Sequence, residues 1–419
     1  MRKAFTDSVT RKYFIPALIL RFFGALAVGM VYQFYYSGGD TFNYHTYGSR
    51  IIWEALLNEP SIGLQLLTSL NDYEGSIYSY AIRIMYYGDK GSYTVVKITS
   101  LFDLLTYSTY SSTALLFGVF GFSGAWAMFN VFYKKYPQAH KLLALGILFV
   151  PSVFFWGSGI FKDTITLAAL GWAVWCIDKI VFQKKIVSIY SLMLLFFCWL
   201  IFSIKIYVLL CFLPAIVLWV SSGAFSRIKS TVLKIMVLPF FILITGAIGY
   251  KAVQVIGEGD QRYALDKIPQ TAQITAYDLG YWTGKDAGSG YSLGELDGTY
   301  LGLFKLMPSA INVSLFRPYL WEVKNPLMLM SALESSFLLI MTLYLFYNSG
   351  IRRIGKILAH KDILFCMTFS LMFAFAVGIS TFNFGTLSRY KIPVMPFYIA
   401  GLVLINNQSK KDKNESVLH

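Results

Sequence analysis

Histidine and cysteine are scarce in this chain, four of each in 419 residues. Cys176, Cys198, Cys211 and Cys366 all lie inside apolar stretches, with no CxxC and no Cys/His cluster. They read as small core hydrophobes, neither a disulfide framework nor a metal site. The histidines are too few and too scattered for a zinc site. HExxH, GxSxG, the P-loop and the Rossmann fingerprint are all missing, which argues against ATP-driven chemistry. Charge is thin as well, at 14% of residues. There is no internal repeat, no lipidation motif and no C-terminal sorting signal.

What the chain has instead is apolar surface: 56% hydrophobic and 17% aromatic residues, with a mean hydropathy of +0.56. Such a composition predicts an integral membrane protein, the rings favouring two membrane interfaces. The N-terminal stretch carries basic residues before an apolar run, as a signal peptide does. Its apolar part is too long, holds Arg21 and lacks a small-residue cleavage site, so it reads as a retained first span. Runs long enough for a membrane helix occur at 14–36, 108–132, 142–160, 163–182, 187–203, 206–222, 232–253, 327–348, 362–381 and 390–406. The expected fold is therefore all-α and polytopic, a single integral membrane domain over 1–419 with about ten transmembrane helices. Lys205 interrupts an otherwise unbroken apolar run, and at a bilayer centre it would cost about 2.5–3.5 kcal/mol. A tight turn there, between two short helices, removes that cost.

With the N-terminus inside, "YKKYPQAHK", "DKIVFQKK", "SRIKSTVLK", "SGIRRIGKILAHK" and the tail "SKKDKNESVLH" all fall on the cytoplasmic side. About twenty of the 36 Lys and Arg sit in these pieces and in residues 1–13. The net charge of +14 is thus mostly topology, and nucleic acid is an unnecessary partner. Both termini are expected in the cytoplasm and the chain in the inner membrane. The other face collects a first outer loop at 37–107, a turn at "WGSGIFKD", Lys205, a second outer loop at 254–326, and "STFNFGTLSRYK". Within the first loop "SRIIWEALLNEPSIGLQLL" and "GSYTVVKITSLFDLLTYS" have helical apolar spacing and predict amphipathic helices lying on the membrane surface. The Gly-rich, acidic second loop predicts an ordered flap.

Several residues on that face have two readings each. Asp40, after Gly38-Gly39 and before Tyr44 and His45, is either a general base or metal ligand at the mouth of a span, or the cap of the next helix. Lys162, beside Asp163 in "FVPSVFFWGSGIFKDTI", is either a phosphate contact on a tight turn or half of a surface ion pair. Lys205 either snorkels to the interface or holds an anion. Arg317, Trp321 and Glu322, and likewise Arg389, Tyr390 and Lys391, are either interface anchors or a clamp for a lipid-linked phosphate. Glu334 lies within the eighth span, where a hydrogen-bonded structural role is favoured over a functional one.

Taken together, these features resemble polytopic glycosyltransferases of the GT-C fold class. The resemblance rests on Asp40 soon after the first span, the surface helices of 50–105, the hairpin "PSVFFWGSGIFKD", the element "FRPYLWE" and the late "RYKIPVMPF". It covers most of the chain through short, permissive motifs. It implies a sugar donor on a polyprenyl phosphate and a glycan, lipid or protein acceptor at the outer face. In that scheme Asp40 is the catalytic base. Lys162, Lys205, Arg389 and Arg317 contact the donor phosphate, and Tyr44, His45, Tyr390 and Trp321 contact substrate. Class members often carry a second acidic residue in the first loop, and here none follows Asp40 until Asp72 and Glu74, so dependence on a divalent metal stays open. The alternatives are a polysaccharide polymerase or ligase, which would lean on Arg50, Arg317 and Arg389, and a transporter or flippase, against which the missing repeats and sparse intramembrane charge weigh.

Overall fold

A computed structural model describes residues 5–69, 73, 75–225, 250–251, 254, 266–283 and 289–417. The described residues are all-helical, and the chain divides into two compact units, 1–206 and 207–419. Among the described residues six helices are long and apolar enough to cross a membrane, which makes this a multi-pass membrane protein. Of the expected stretches, 232–253 lies outside the described residues except at 250–251, as do Asp72 and Glu74.

The first unit opens with α1 (Arg11–Phe34), followed by the short α2 (Asp40–Tyr44), a π-helical turn (His45–Ser49), α3 (Arg50–Asn58), α4 (Pro60–Thr68), α5 (Tyr78–Ala81) and α6 (Lys90–Thr106). The described residues of 37–107 are therefore largely helical, including both stretches whose periodicity predicts helices. Next come α7 (Tyr110–Lys135), α8 (His140–Leu148), α9 (Pro151–Trp156), α10 (Lys162–Ile177, extended by a π-turn to Phe182) and α11 (Val187–Ile204). α7 packs along both α1 and α10, and α10 along α11. The α7–α10 seam is made of small residues, which allow close backbone approach where side chains cannot interdigitate. A Cβ on Gly124 would stand 2.4 Å from the Cα of Ala168, and one on Gly171 would stand 2.1 Å from the Gly124 carbonyl.

The stretch 142–160 is not one span. It breaks at Pro151, which lacks the N–H a continuing helix needs and drives Val150 into an extended conformation. The break explains Arg21. This arginine is buried inside α1, and its Nη1 donates to the carbonyls of Val153 (3.0 Å) and Gly157 (2.6 Å), at the end of α9. A guanidinium there matches the negative end of a short helix, and at Val153 it adds a second donor to a carbonyl that already accepts the Gly157 N–H at 3.1 Å.

The second unit contains most of α12 (Ile206–Phe225), then α13 (Ile268–Thr283), α14 (Tyr300–Phe316), α15 (Pro326–Ser349), α16 (Ile351–Leu358), α17 (Lys361–Thr381), α18 (Phe384–Tyr390) and α19 (Val394–Val417). The stretch 390–406 enters helix only at Val394, and that helix continues through the polar tail to Val417. α17 is the central element, packed against α13, α14 and α19. Phe212, Phe365, Phe369 and Phe397 form its aromatic core, and the Trp219 indole donates to Asp362 at 2.7 Å, satisfying a buried carboxylate. α14 is an apolar helix inside 254–326, where a loop was expected. The Gly-rich, acidic composition that signalled a loop ends at Thr299, whose side chain caps α14 by accepting from the Gly302 N–H at 3.1 Å.

Candidate active site

The candidate site in the first unit is built around the turn that follows α1. Gly38 (φ 128°) and Gly39 (φ 122°) both adopt a backbone closed to L side chains, and a Cβ on Gly39 would also strike the Tyr32 ring at 2.9 Å. The two glycines reverse the chain so that α2 begins immediately at Asp40. Gly39 is the cap of α2, and Asp40 sits in its first turn. The Asp40 side chain is directed elsewhere: its Oδ1 accepts the Tyr86 hydroxyl at 2.6 Å. Asn43, one turn further along α2, donates to the same tyrosine oxygen at 3.2 Å. With its oxygen engaged by Asn43, Tyr86 has its single proton aimed at the half-buried carboxylate.

Tyr86 and Asp89 share one turn, the Asp89 N–H lying 3.3 Å from the Tyr86 carbonyl. Asp89 caps α6 by accepting from the Ser92 N–H at 2.8 Å, and the same oxygen accepts from Lys162 Nζ at 2.8 Å. Burial alone would raise the Asp89 carboxyl, but the Lys162 charge and the hydrogen bonds from Lys162 and Ser92 outweigh it and hold the group down at about 2. Lys162 opens α10 and remains partly exposed. Its neighbour Phe161 packs on Tyr32 (5.4 Å between ring centres), the ring against which Gly39 turns. Asp40, Tyr86, Asp89 and Lys162 therefore share one end of the first unit. At the other end Lys135 pairs with Asp178 at 3.2 Å.

Lys205 belongs to the first end too. It stands at the junction of α11 and α12, the turn its cost in an apolar run predicts, and its ammonium bonds the carboxylate of Asp163 in the first turn of α10. Both groups are buried. Lys205 thus does not reach out to the interface, and an internal carboxylate matches its charge.

Tyr44 and His45 are buried, at 2% exposure each. Tyr44 tilts against the Tyr86 ring at 5.0 Å. His45 Nε2 lies 3.4 Å from Asp103 Oδ1 in α6, and that carboxylate also accepts from Ser49 (2.6 Å) and Thr113 (2.8 Å). The π-turn His45–Ser49 is what places His45 and Ser49 together over Asp103, a role such turns often serve near functional residues. His45 supports α2 from beneath and presents no ring to the surface.

In the second unit Arg317 makes a two-point pair with Glu322, one arm 3.0 Å long, and lies over the rings of Tyr291, Tyr319 and Phe384. Trp321 is 81% exposed and stacks on Tyr319. Lys391 is buried beneath, donating to Ser335 Oγ at 2.8 Å and lying 3.4 Å from the Arg317 carbonyl; Glu334 is near enough for its charge to act on it. Arg389 and Tyr390 stand at the end of α18, the guanidinium 5.9 Å from the Tyr390 ring centre.

Reasoning from sequence missed Tyr86, Asp89 and Asp103. The signal for Asp89 was present: Asp-Lys-Gly-Ser before an apolar periodic run is an N-cap pattern. Tyr86 and Asp103 carried none, since only tertiary contact relates them to Asp40 and His45. Among the described residues no group of three or more His, Cys, Asp or Glu gathers to hold a metal ion. No protein-family model, curated protein or solved structure shows significant similarity to the chain.

Proposed function

We propose that this protein is a GT-C-type membrane glycosyltransferase. It would move a sugar from a polyprenyl-phosphate donor to a glycan, lipid or protein acceptor at the outer face of the inner membrane, with both termini cytoplasmic. The observation that carries the reading is a carboxylate held by a tyrosine proton, Asp40 on Tyr86, at the same end of the apolar helices as the partly exposed ammonium of Lys162. The basic clusters of the alternate loops support the orientation.

The reaction asks for two things that these residues supply. As the acceptor oxygen attacks the anomeric carbon, its proton has to leave, and Asp40 receives it. Meanwhile the bond from the anomeric carbon to the donor phosphate breaks, and the negative charge growing on the departing phosphate is met by Lys162, which keeps donors beyond the one committed to Asp89. Asp89 fixes the direction of Lys162, and Tyr86 fixes that of Asp40. Within the second unit, Arg389 and Arg317 are proposed as phosphate-binding residues and Trp321 and Tyr390 as substrate-binding residues, as the resemblance implies, and neither step of the transfer runs through them.

The test is Asp40→Asn in the purified protein, supplied with a polyprenyl-phosphate-linked sugar and a glycan acceptor on which the wild type is active. Transfer is expected to fall by at least three orders of magnitude while donor binding holds within a few fold; transfer at the wild-type rate would remove Asp40 as the base.

A further inference from the structure

The second unit contains a cavity of about 520 Å³, walled by Gln273, Tyr277 and Tyr281 of α13, by Glu295 and Leu296, and by Phe382 at the end of α17. Tyr277 and Tyr281 are one helical turn apart, so they fall on one face of α13. Their rings lie 6.4 Å apart and only 11° from parallel, and they are 73% and 56% exposed. They form a flat aromatic strip along one side of the cavity.

The opposite wall is held in place by contacts to the end of α17. The Tyr291 N–H donates to the Phe382 carbonyl (3.0 Å), the Phe384 N–H to the Ser289 carbonyl (2.9 Å), and Asn383 to Ser289 Oγ (3.0 Å). The Tyr291 hydroxyl bonds Thr381 at 2.8 Å. From within, Gln273 donates its amide to the Leu296 carbonyl. Beneath, Leu293, Leu296 and Leu306 pack on Leu303, Ala310 and Ile379. The cavity is thus formed before any ligand enters.

Tyrosines at a membrane interface are common and need no ligand. An interface belt, however, accounts neither for a cavity nor for the exposed carboxylate of Glu295 that lines it. A hydrocarbon chain filling this space would offer no hydrogen bond to Glu295, an exposed carboxylate on its wall. An anion would be repelled. A neutral, polyhydroxylated ring suits all the walls, because its flat C–H face covers tyrosine rings and its hydroxyls donate to a carboxylate. We propose that this cavity is a glycan-binding site in which a pyranose ring lies on Tyr277 and Tyr281 and its hydroxyls donate to Glu295.

The site uses no residue of the first unit, and its test does not depend on transfer. Saturation-transfer NMR on the full chain, in nanodiscs free of sugar-based detergent, would use maltotetraose, cellotetraose and chitotetraose as probes. At least one should receive saturation on its ring protons. Its affinity should fall tenfold or more in Tyr277→Ala/Tyr281→Ala, stay within threefold in Tyr277→Phe/Tyr281→Phe, and fall several-fold in Glu295→Gln. Both tyrosines are exposed, so a wild-type melting profile is expected throughout. Absence of binding to all three probes, binding that the alanine pair leaves unchanged, or farnesol binding in place of sugar that the alanine pair abolishes, would each overturn the proposal. None of these results bears on Asp40→Asn, so the two readings fail independently.

Discussion

Tyr86 gives Asp40 its direction, and Tyr86→Phe removes the hydroxyl that meets both Asp40 and Asn43 while keeping the ring. A hydrogen bond to a charged group contributes about 1.5–3 kcal/mol. Tyr86→Phe should therefore slow transfer about ten- to a hundredfold, with folding intact. An unchanged kcat in the phenylalanine variant would show that the carboxylate orients itself. Asp89 gives a pH signature. Its folded pKa of about 2 lies below the ordinary 3.8, so its interactions add stability that is fully present above about 3.8 and is lost as pH falls through about 2. Between those two values the wild-type melting temperature should drop more steeply than that of Asp89→Asn. Parallel curves would mean that the Lys162 pair contributes nothing to the fold.

At the scale of elements, close packing between α7 and α10 holds the first unit together, and it depends on the absence of side chains. In Gly124→Val the new Cβ would meet backbone atoms of Ala168 at 2.3–2.4 Å, which cannot swing aside. A melting-temperature loss of 10 °C or more, or failure to fold, is expected, whereas Gly355→Ala in α16, where a Cβ meets nothing within 4 Å, should be neutral or mildly stabilising. Equal stability of the two variants would place the α7–α10 contact elsewhere. Most helices were legible in the sequence because apolar length is a local property: α1, α7, α10, α11, α15 and α17 all lie close to the expected stretches. Where the reading failed, the deciding information was local but subtle, or not local at all. An apolar run looks the same whether it is one helix or two, and only Pro151 divided 142–160. Lys205 marked its turn correctly, but Asp163, 42 residues earlier, became its partner only through the packing of α10 on α11.

For the molecule as a whole, apolar helices fix its place in a membrane, and the polar groups gathered at one end of the first unit carry the proposed chemistry. Of that group the sequence pointed to Asp40 and Lys162, which stand beside span ends, and left out Tyr86 and Asp89, which lie in a short turn between α5 and α6. The same end holds the buried Lys205–Asp163 pair, and the opposite end the Lys135–Asp178 pair. A donor phosphate would meet its cation at the first end and leave its prenyl chain among the apolar helices.

The central claim, a site for a lipid-linked phosphate, is tested most directly by native mass spectrometry of the full chain with undecaprenyl phosphate, comparing wild type with Lys162→Ala. A single bound lipid on the wild type, weakened tenfold or more in the variant, is the predicted result. No adduct on the wild type even with the lipid in excess, or an adduct indifferent to Lys162, would contradict it.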